Sequence, residues 1–273
     1  MSDCIIDCHC HAGLGDGLTG PWDTSARLPG YLRRARAAGI TKTVLFSVFH
    51  SDYETANAKV AEIVEADRER FLGFVFVHGQ QDRHRMLRMV GRFIERHNFR
   101  GIKVHRYDAR ISREVCEAAR LFRVPVLYDV MGEVENVRLL AQEYPDVDFI
   151  IPHLGSFGDE WRAQIAFIDI LARYPNVYTD TSGVRRFDLL VRALRTAGPQ
   201  KILFGSDGPW LHPGLELAKI RALQLTAGAE AQVVRGNLLR LLAKRRPIRT
   251  VWKSQLQQPD IVPLKDPWNA VTS

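Results

Sequence analysis

No apolar run in this chain approaches the ~18 residues needed to cross a bilayer. The first strand-like segment begins directly after Met-Ser-Asp, so no signal peptide is expected. Cysteine is scarce: of four, Cys4, Cys8 and Cys10 crowd the first ten residues and Cys116 stands alone. That pattern is no disulfide framework and points to a reducing, cytoplasmic setting. A doubly wound dinucleotide-binding sheet is disfavoured by the paired histidines His9 and His11 at the end of the first strand. Low-complexity tracts and long repeats are absent too. What remains, 46% hydrophobic and 25% charged in 273 residues, is ordinary globular composition.

Net charge is +7, unevenly spread. Residues 244–273 hold six basic side chains against two acids and thus +4, leaving +3 for the other 243. A basic tail can signal nucleic acid, but this one crowds its charge before residue 250. It also mixes four prolines with apolar anchors such as Trp252 and Trp268. It is expected to be an extended arm that packs on its own barrel or across a homodimer, with no nucleic-acid or membrane partner.

Short β-branched runs alternate with amphipathic stretches along the rest. Strands are expected at 4–10, 42–48, 71–78, 101–105, 124–130, 147–152, 176–181 and 201–206. Helices are expected at 28–38, 53–67, 82–97, 112–122, 135–143, 159–173, 186–196 and 215–225, with an extra helix at 229–244. Eight βα units predict an α/β (β/α)8 TIM barrel over residues 1–243 and an arm over 244–273.

Chemistry in a barrel gathers at the carboxyl ends of the strands. Those ends carry His9 and His11, His50 and Asp52, His78, Lys103 and His105, Asp129, His153, Asp180 and Asp207. His9 and His11, two apart on an extended strand, project from one face and can converge on a divalent metal. Strict alternation puts Asp7 on that face and Cys8 and Cys10 on the other, beneath the helices.

Ile-Ile-Asp-Cys-His-Cys-His, Phe-Arg-Gly-Ile-Lys-Val-His, Ile-Pro-His-Leu-Gly and Phe-Gly-Ser-Asp-Gly-Pro, in this order, resemble the amidohydrolase-2 family, which includes aminocarboxymuconate-semialdehyde decarboxylase. The resemblance covers residues 3–243 and implies one bound divalent metal, zinc foremost. By this resemblance His9, His11 and Asp207 are metal ligands, with Asp207 also moving a proton. His153 polarises or deprotonates the reacting group. Where the family places a fifth-strand histidine ligand, this chain has Asp129. It is read as a carboxylate ligand, as a partner of a ligand, or as the mark of a decayed site. A two-His, two-Asp set would favour Mn²⁺ or Mg²⁺ somewhat more.

Lys103 shares a face with His105. It is read as a carboxylated lysine of the kind two-metal relatives use, as a buried ammonium paired with Asp129 or Asp7, or as a substrate contact. With His105, Arg106 and Arg185 it makes a cationic rim suited to a small anionic molecule. A competing motif, His-x-His with Asp16-Gly17, fits the polymerase-and-histidinol-phosphatase family, but no distal Asp-x-His follows. The expected activity is hydrolysis of an amide, lactone or ester-like bond through a metal-activated water. The alternatives are non-oxidative decarboxylation and a non-catalytic barrel with a degenerate site.

Overall fold

Runs such as Phe71–Phe76 and Phe149–Ile151 are apolar throughout because each strand is covered on both faces, by helices outside and by the barrel lumen inside. The computed structural model describes residues 4–244 apart from 21, 23 and 159. The expected arm from residue 245 onward lies outside the described residues. Nine strands form one sheet: β1 (Ile5–Leu14), β2 (Ser25–Ala26), β3 (Ile40–Ser47), β4 (Phe71–Phe76), β5 (Phe99–His105), β6 (Val126–Asp129), β7 (Phe149–Ile151), β8 (Val177–Asp180) and β9 (Ile202–Leu203). All but β2 are parallel; β2 folds back antiparallel on the end of β1. The order β2-β1-β3-β4-β5-β6-β7-β8-β9 closes on itself. Cys8 N–H donates to Phe204 O at 3.0 Å, His11 N–H donates to Gly208 O at 2.7 Å, and Cys10 bridges Gly208.

Eight helices return the chain between and after these parallel strands: α1 (Leu28–Ala37), α2 (Tyr53–Ala66), α3 (Met86–Arg96), α4 (Arg113–Phe122), α5 (Glu135–Glu143), α6 (Trp161–Arg173), α7 (Phe187–Ala197) and α8 (Pro213–Ala222). The expected (β/α)8 barrel is therefore the fold. The expected final helix is present in pieces, α9 (Ala227–Ala231) and α10 (Asn237–Leu242), joined by a wide π-type turn at Gln232–Gly236. Among the described residues, no helix is long and apolar enough to cross a membrane.

Two apolar layers result. The outer one, between strands and helices, includes Val75, Phe93, Ile102, Phe122 and Leu171. The inner one fills the barrel floor with Ile6, Cys8, Val44, Phe46, Phe74, Phe76, Leu127, Ile150 and Leu203, and Leu238 and Leu241 of α10 close it. Gly101 makes room there, because a Cβ would lie 2.5 Å from the Phe74 ring.

The face assignment of β1 needs correction. Between Asp7 and Cys10 the strand advances three residues while its partner β3 advances two, from Thr43 to Leu45. This bulge breaks the alternation. Asp7 points outward to Tyr31 of α1, and Cys8 points inward to the floor. Cys10 faces outward as expected, and His9 and His11 both look into the lumen.

Candidate active site

The bulge places His9 and the regular continuation of the strand places His11, and each ring is then fixed through its inner nitrogen. His9 Nδ1 lies 2.8 Å from Asp180 Oδ2, and His11 Nδ1 lies 2.9 Å from Ser47 O. A proton on each Nδ1 is donated there, which turns each Nε2 outward as a free acceptor. Both face Asp207 Oδ1, at 3.4 Å from His9 and 3.7 Å from His11. These three buried residues put their ligand atoms within 4.8 Å of one another. Burial depresses the basicity of both rings, opposed by Asp180 at His9 and reinforced by the Lys103 charge at His11. Neutral imidazole is the form that ligates a metal. Two neutral imidazoles and a carboxylate, braced from behind and open to a cavity, fit a divalent cation of the N/O-ligand class.

Asp207 owes its position to the turn after β9. Its φ of 55° is left-handed, and the preceding residue is locked to β1. Asp7 Oδ1 accepts from the backbone N–H of His9 at 3.1 Å and of Ser206 at 2.9 Å. Its other oxygen accepts from the hydroxyls of Tyr31 and Ser206. One buried carboxylate thus joins the strand carrying the two histidines to the turn carrying the aspartate. Burial pushes its pKa up to about 6 against those four hydrogen bonds.

A second group adjoins the first, the His153 ring lying 5.1 Å from that of His9. Asp129 Oδ2 lies 3.3 Å from His105 Nε2 and 3.5 Å from His153 Nε2. Burial disfavours the Asp129 charge, but the two imidazoles hold it well below the usual carboxylate range. Burial likewise works against His153, yet the hydrogen bond and charge of Asp129, with Asp207 and Asp180 behind, raise it to about 9. His153 reaches this position because the chain turns left-handed right after β7, with φ 59° at His153 and 52° at Leu154. Its Nδ1–H donates to Ser182 O at 2.7 Å. Backbone held in this region by non-glycine residues costs about 1–3 kcal/mol each and collects at functional sites.

The cavity that both groups line measures about 300 Å³. His9, His11, Lys103, His105, Asp129, His153 and Asp207 line it, together with Trp22, Phe49, Met131, Phe157 and Glu160. The structure thus brings together seven of the sequence-predicted site residues. Arg106 and Arg185 are not among the lining residues: Arg106 is held by Glu133 at 2.7 Å, and Arg185 donates to Phe157 O. His50, Asp52 and His78 organise loops instead; Asp52 caps α2, and the imidazoles of His50 and His78 accept backbone N–H groups. Asp16 binds the Ser51 and Leu18 backbone and lies outside the three-residue cluster.

Sequence reasoning missed the aromatic wall and the bracing role of Asp180 and Ser182. Ser182 Oγ is 3.0 Å from His153 Nδ1 and donates to Asp180, so one short segment steadies both His9 and His153. The register of Asp180 at a strand end was its only signal. Trp22, Phe49, Phe157 and Trp210, whose ring is tilted against His11 with centroids 4.6 Å apart, sit in loops that carry no periodicity.

Comparison with known proteins bears on the fold and the family. No curated protein sequence matches the chain. Among solved structures, 2,6-dihydroxybenzoate decarboxylase from Rhizobium superposes with a TM-score of 0.65 at 17% identity, over 88% of this chain and 99% of that one. 5-Carboxyvanillate decarboxylase from Sphingomonas paucimobilis gives 0.64 at 17%, over 89% and 99%. A dihydroxybenzoic acid decarboxylase from a Polaromonas species, solved with manganese and the inhibitor 2-nitroresorcinol, gives 0.66 at 18%, over 90% and 98%. At such identities the likeness establishes the fold. The family model for amidohydrolase matches residues 6–243, nearly the whole described chain. With the barrel, the paired histidines and Asp207 after β9 in place, the chain belongs to the amidohydrolase family.

Proposed function

We propose that this enzyme removes carbon dioxide, without oxidation, from a small aromatic carboxylic acid. The observation that carries the reading is the cavity itself: an aromatic-walled slot of benzoate size, lined by metal-competent donors and, beside them, by the His153 imidazole, which Asp129 holds toward its protonated form. The decarboxylases among the similar structures support it, as does the manganese bound in one of them. It takes the second of the two reactions expected from the sequence in preference to hydrolysis.

His9, His11 and Asp207 would hold the divalent metal, zinc or manganese, with Asp129 free to serve the two histidines that flank it. When bound, the metal supplies positive charge that orients an anionic substrate and stabilises charge developing on its oxygens. Trp22, Phe49 and Phe157 sandwich an aromatic ring and exclude water from it. The carboxylate leaves as carbon dioxide, and the carbon keeps the electron pair of the broken C–C bond. His153 Nε2, kept protonated by Asp129, delivers the proton that replaces the carboxylate. Solvent then restores the imidazolium.

The test is to incubate the metal-loaded protein with hydroxybenzoates beside lactones and amides, measuring CO₂ and acid release. CO₂ from the benzoates, abolished in His153→Asn with metal content unchanged, is expected. Acid release from a lactone without CO₂ from any benzoate would make the same site hydrolytic.

A further inference from the structure

This fold shows twice, at buried Lys201 and half-buried Lys219, how it settles a lysine for structural ends. Lys201 Nζ donates to Tyr174 O, Pro175 O and Val177 O at 2.6, 3.0 and 2.6 Å. Lys219 Nζ donates to two carbonyls at 3.0 Å and pairs with Glu216 at 2.6 Å. Lys103 is treated differently. It is fully buried on β5 and lines the cavity, yet its Nζ has no hydrogen-bond partner among the described residues. Neither Asp129 nor Asp7, the partners expected from the sequence, reaches it: Asp129 is engaged by His105 and His153, and Asp7 points out of the barrel. An ammonium taken out of water without an acceptor is costly, so such a group marks a place where an anion belongs.

Its surroundings say which anion. Nζ sits 5.1 Å from the centre of the Phe46 ring, and the edges of that ring meet His11 at 4.5 Å and His9 at 5.2 Å. One phenyl ring is therefore shared by the lysine and the two histidines, and both open onto one small cavity. Burial lowers the pKa of Lys103 on balance, and Asp129, Asp207 and Asp180 oppose that from a distance without pairing with it by contact.

We propose that Lys103 is an anion anchor that works without the metal: it takes one carboxylate of a flat acid whose second oxygen function, across the ring, reaches the His9–His11–Asp207 cluster. The substrate class is thus an aromatic acid with two separated oxygen functions, and the inference rests on the proposed function for the use of the site. Lysine suits the role because three rotatable donors at the end of a flexible stem can follow a carboxylate that enters and leaves.

Benzoate, and benzamide as its neutral counterpart, are the probes, titrated calorimetrically into chelator-treated protein. The metal-free protein should bind benzoate and not benzamide. Lys103→Met, which keeps the length and removes the charge, should weaken benzoate about tenfold or more. The variant should still take up metal to the wild-type level, which shows that the site is folded. In the metal-loaded protein, 3-hydroxybenzoate should bind more tightly than benzoate in both forms. Equal binding of benzoate and benzamide by the metal-free wild type would overturn the anchor, as would unchanged benzoate affinity in the variant. So would a ¹³C carbamate signal from labelled bicarbonate that vanishes in Lys103→Met, since the lysine would then be carboxylated. Because benzoate binding is read without turnover, failure to release CO₂ would count against the proposed reaction alone.

Discussion

His9 and His11 are buried where a charged imidazole is disfavoured, and each is braced by a different acceptor, one a carboxylate and one a carbonyl. Replacing both with alanine should abolish the roughly one equivalent of metal expected in protein purified without chelator; metal analysis reads this directly, and full retention would remove the site. Asp180→Asn is the subtler change, since it keeps the shape and removes the charge behind His9. Loss of such a bracing carboxylate costs about 10- to 100-fold in metal affinity, measurable by chelator competition. The Asp129–His153 pair makes a pH prediction for the metal-free protein. His153 is raised to about 9 from an ordinary 6.5, so its contribution to stability is complete below about pH 6.5 and is lost as pH rises through about 9. Melting temperatures between pH 6 and 10 should fall more steeply in the wild type than in Asp129→Asn. Parallel curves would show that the pair is not coupled to folding.

Elements position the site through departures from regularity. A regular β1 would have turned His9 to the helices, or else Asp7 to the lumen; the bulge lets Asp7 clamp Ser206 from outside while both histidines look in. The turn after β7 bends the backbone left-handed at His153, and the turn after β9 does so at Asp207. Close packing between strands matters as much. At Gly205 a Cβ would stand 2.9 Å from the His9 Cβ and 3.0 Å from the Asp180 carboxyl carbon. Gly205→Ala should therefore displace the brace and weaken metal binding while leaving the circular-dichroism spectrum intact; wild-type affinity would show that the strands can part. At the other end of the barrel, Leu241→Ala opens the floor that α10 closes. A buried leucine lost this way costs about 2–5 kcal/mol, read as a lower midpoint in urea.

At the scale of the whole molecule, the barrel was legible because hydrophobic patterning is local: eight apolar runs separated by amphipathic stretches leave few architectures that bury both faces of every strand. The helix bounds came through to within a few residues, since the period of 3.6 is carried by each helix alone, and the order of strand ends told which side chains would meet at the mouth. His9, His11, Lys103, His105, Asp129, His153 and Asp207 were readable for that reason. The β2 hairpin and the π-type turn before α10 were not, because neither is long enough to carry a period. Nor was the partition of the charged groups, in which Asp129 attends two histidines, Asp180 braces a third, and Arg106 is held by Glu133. Those pairings join residues far apart in sequence, and their distances are set only when the last strand returns to the first. The sequence by itself determined the barrel and the residues at its mouth, through local periodicity and register. Only the tertiary structure decided, by a one-residue bulge and the closure of the sheet, which of them face one another, because side-chain direction and long-range distance are not local properties.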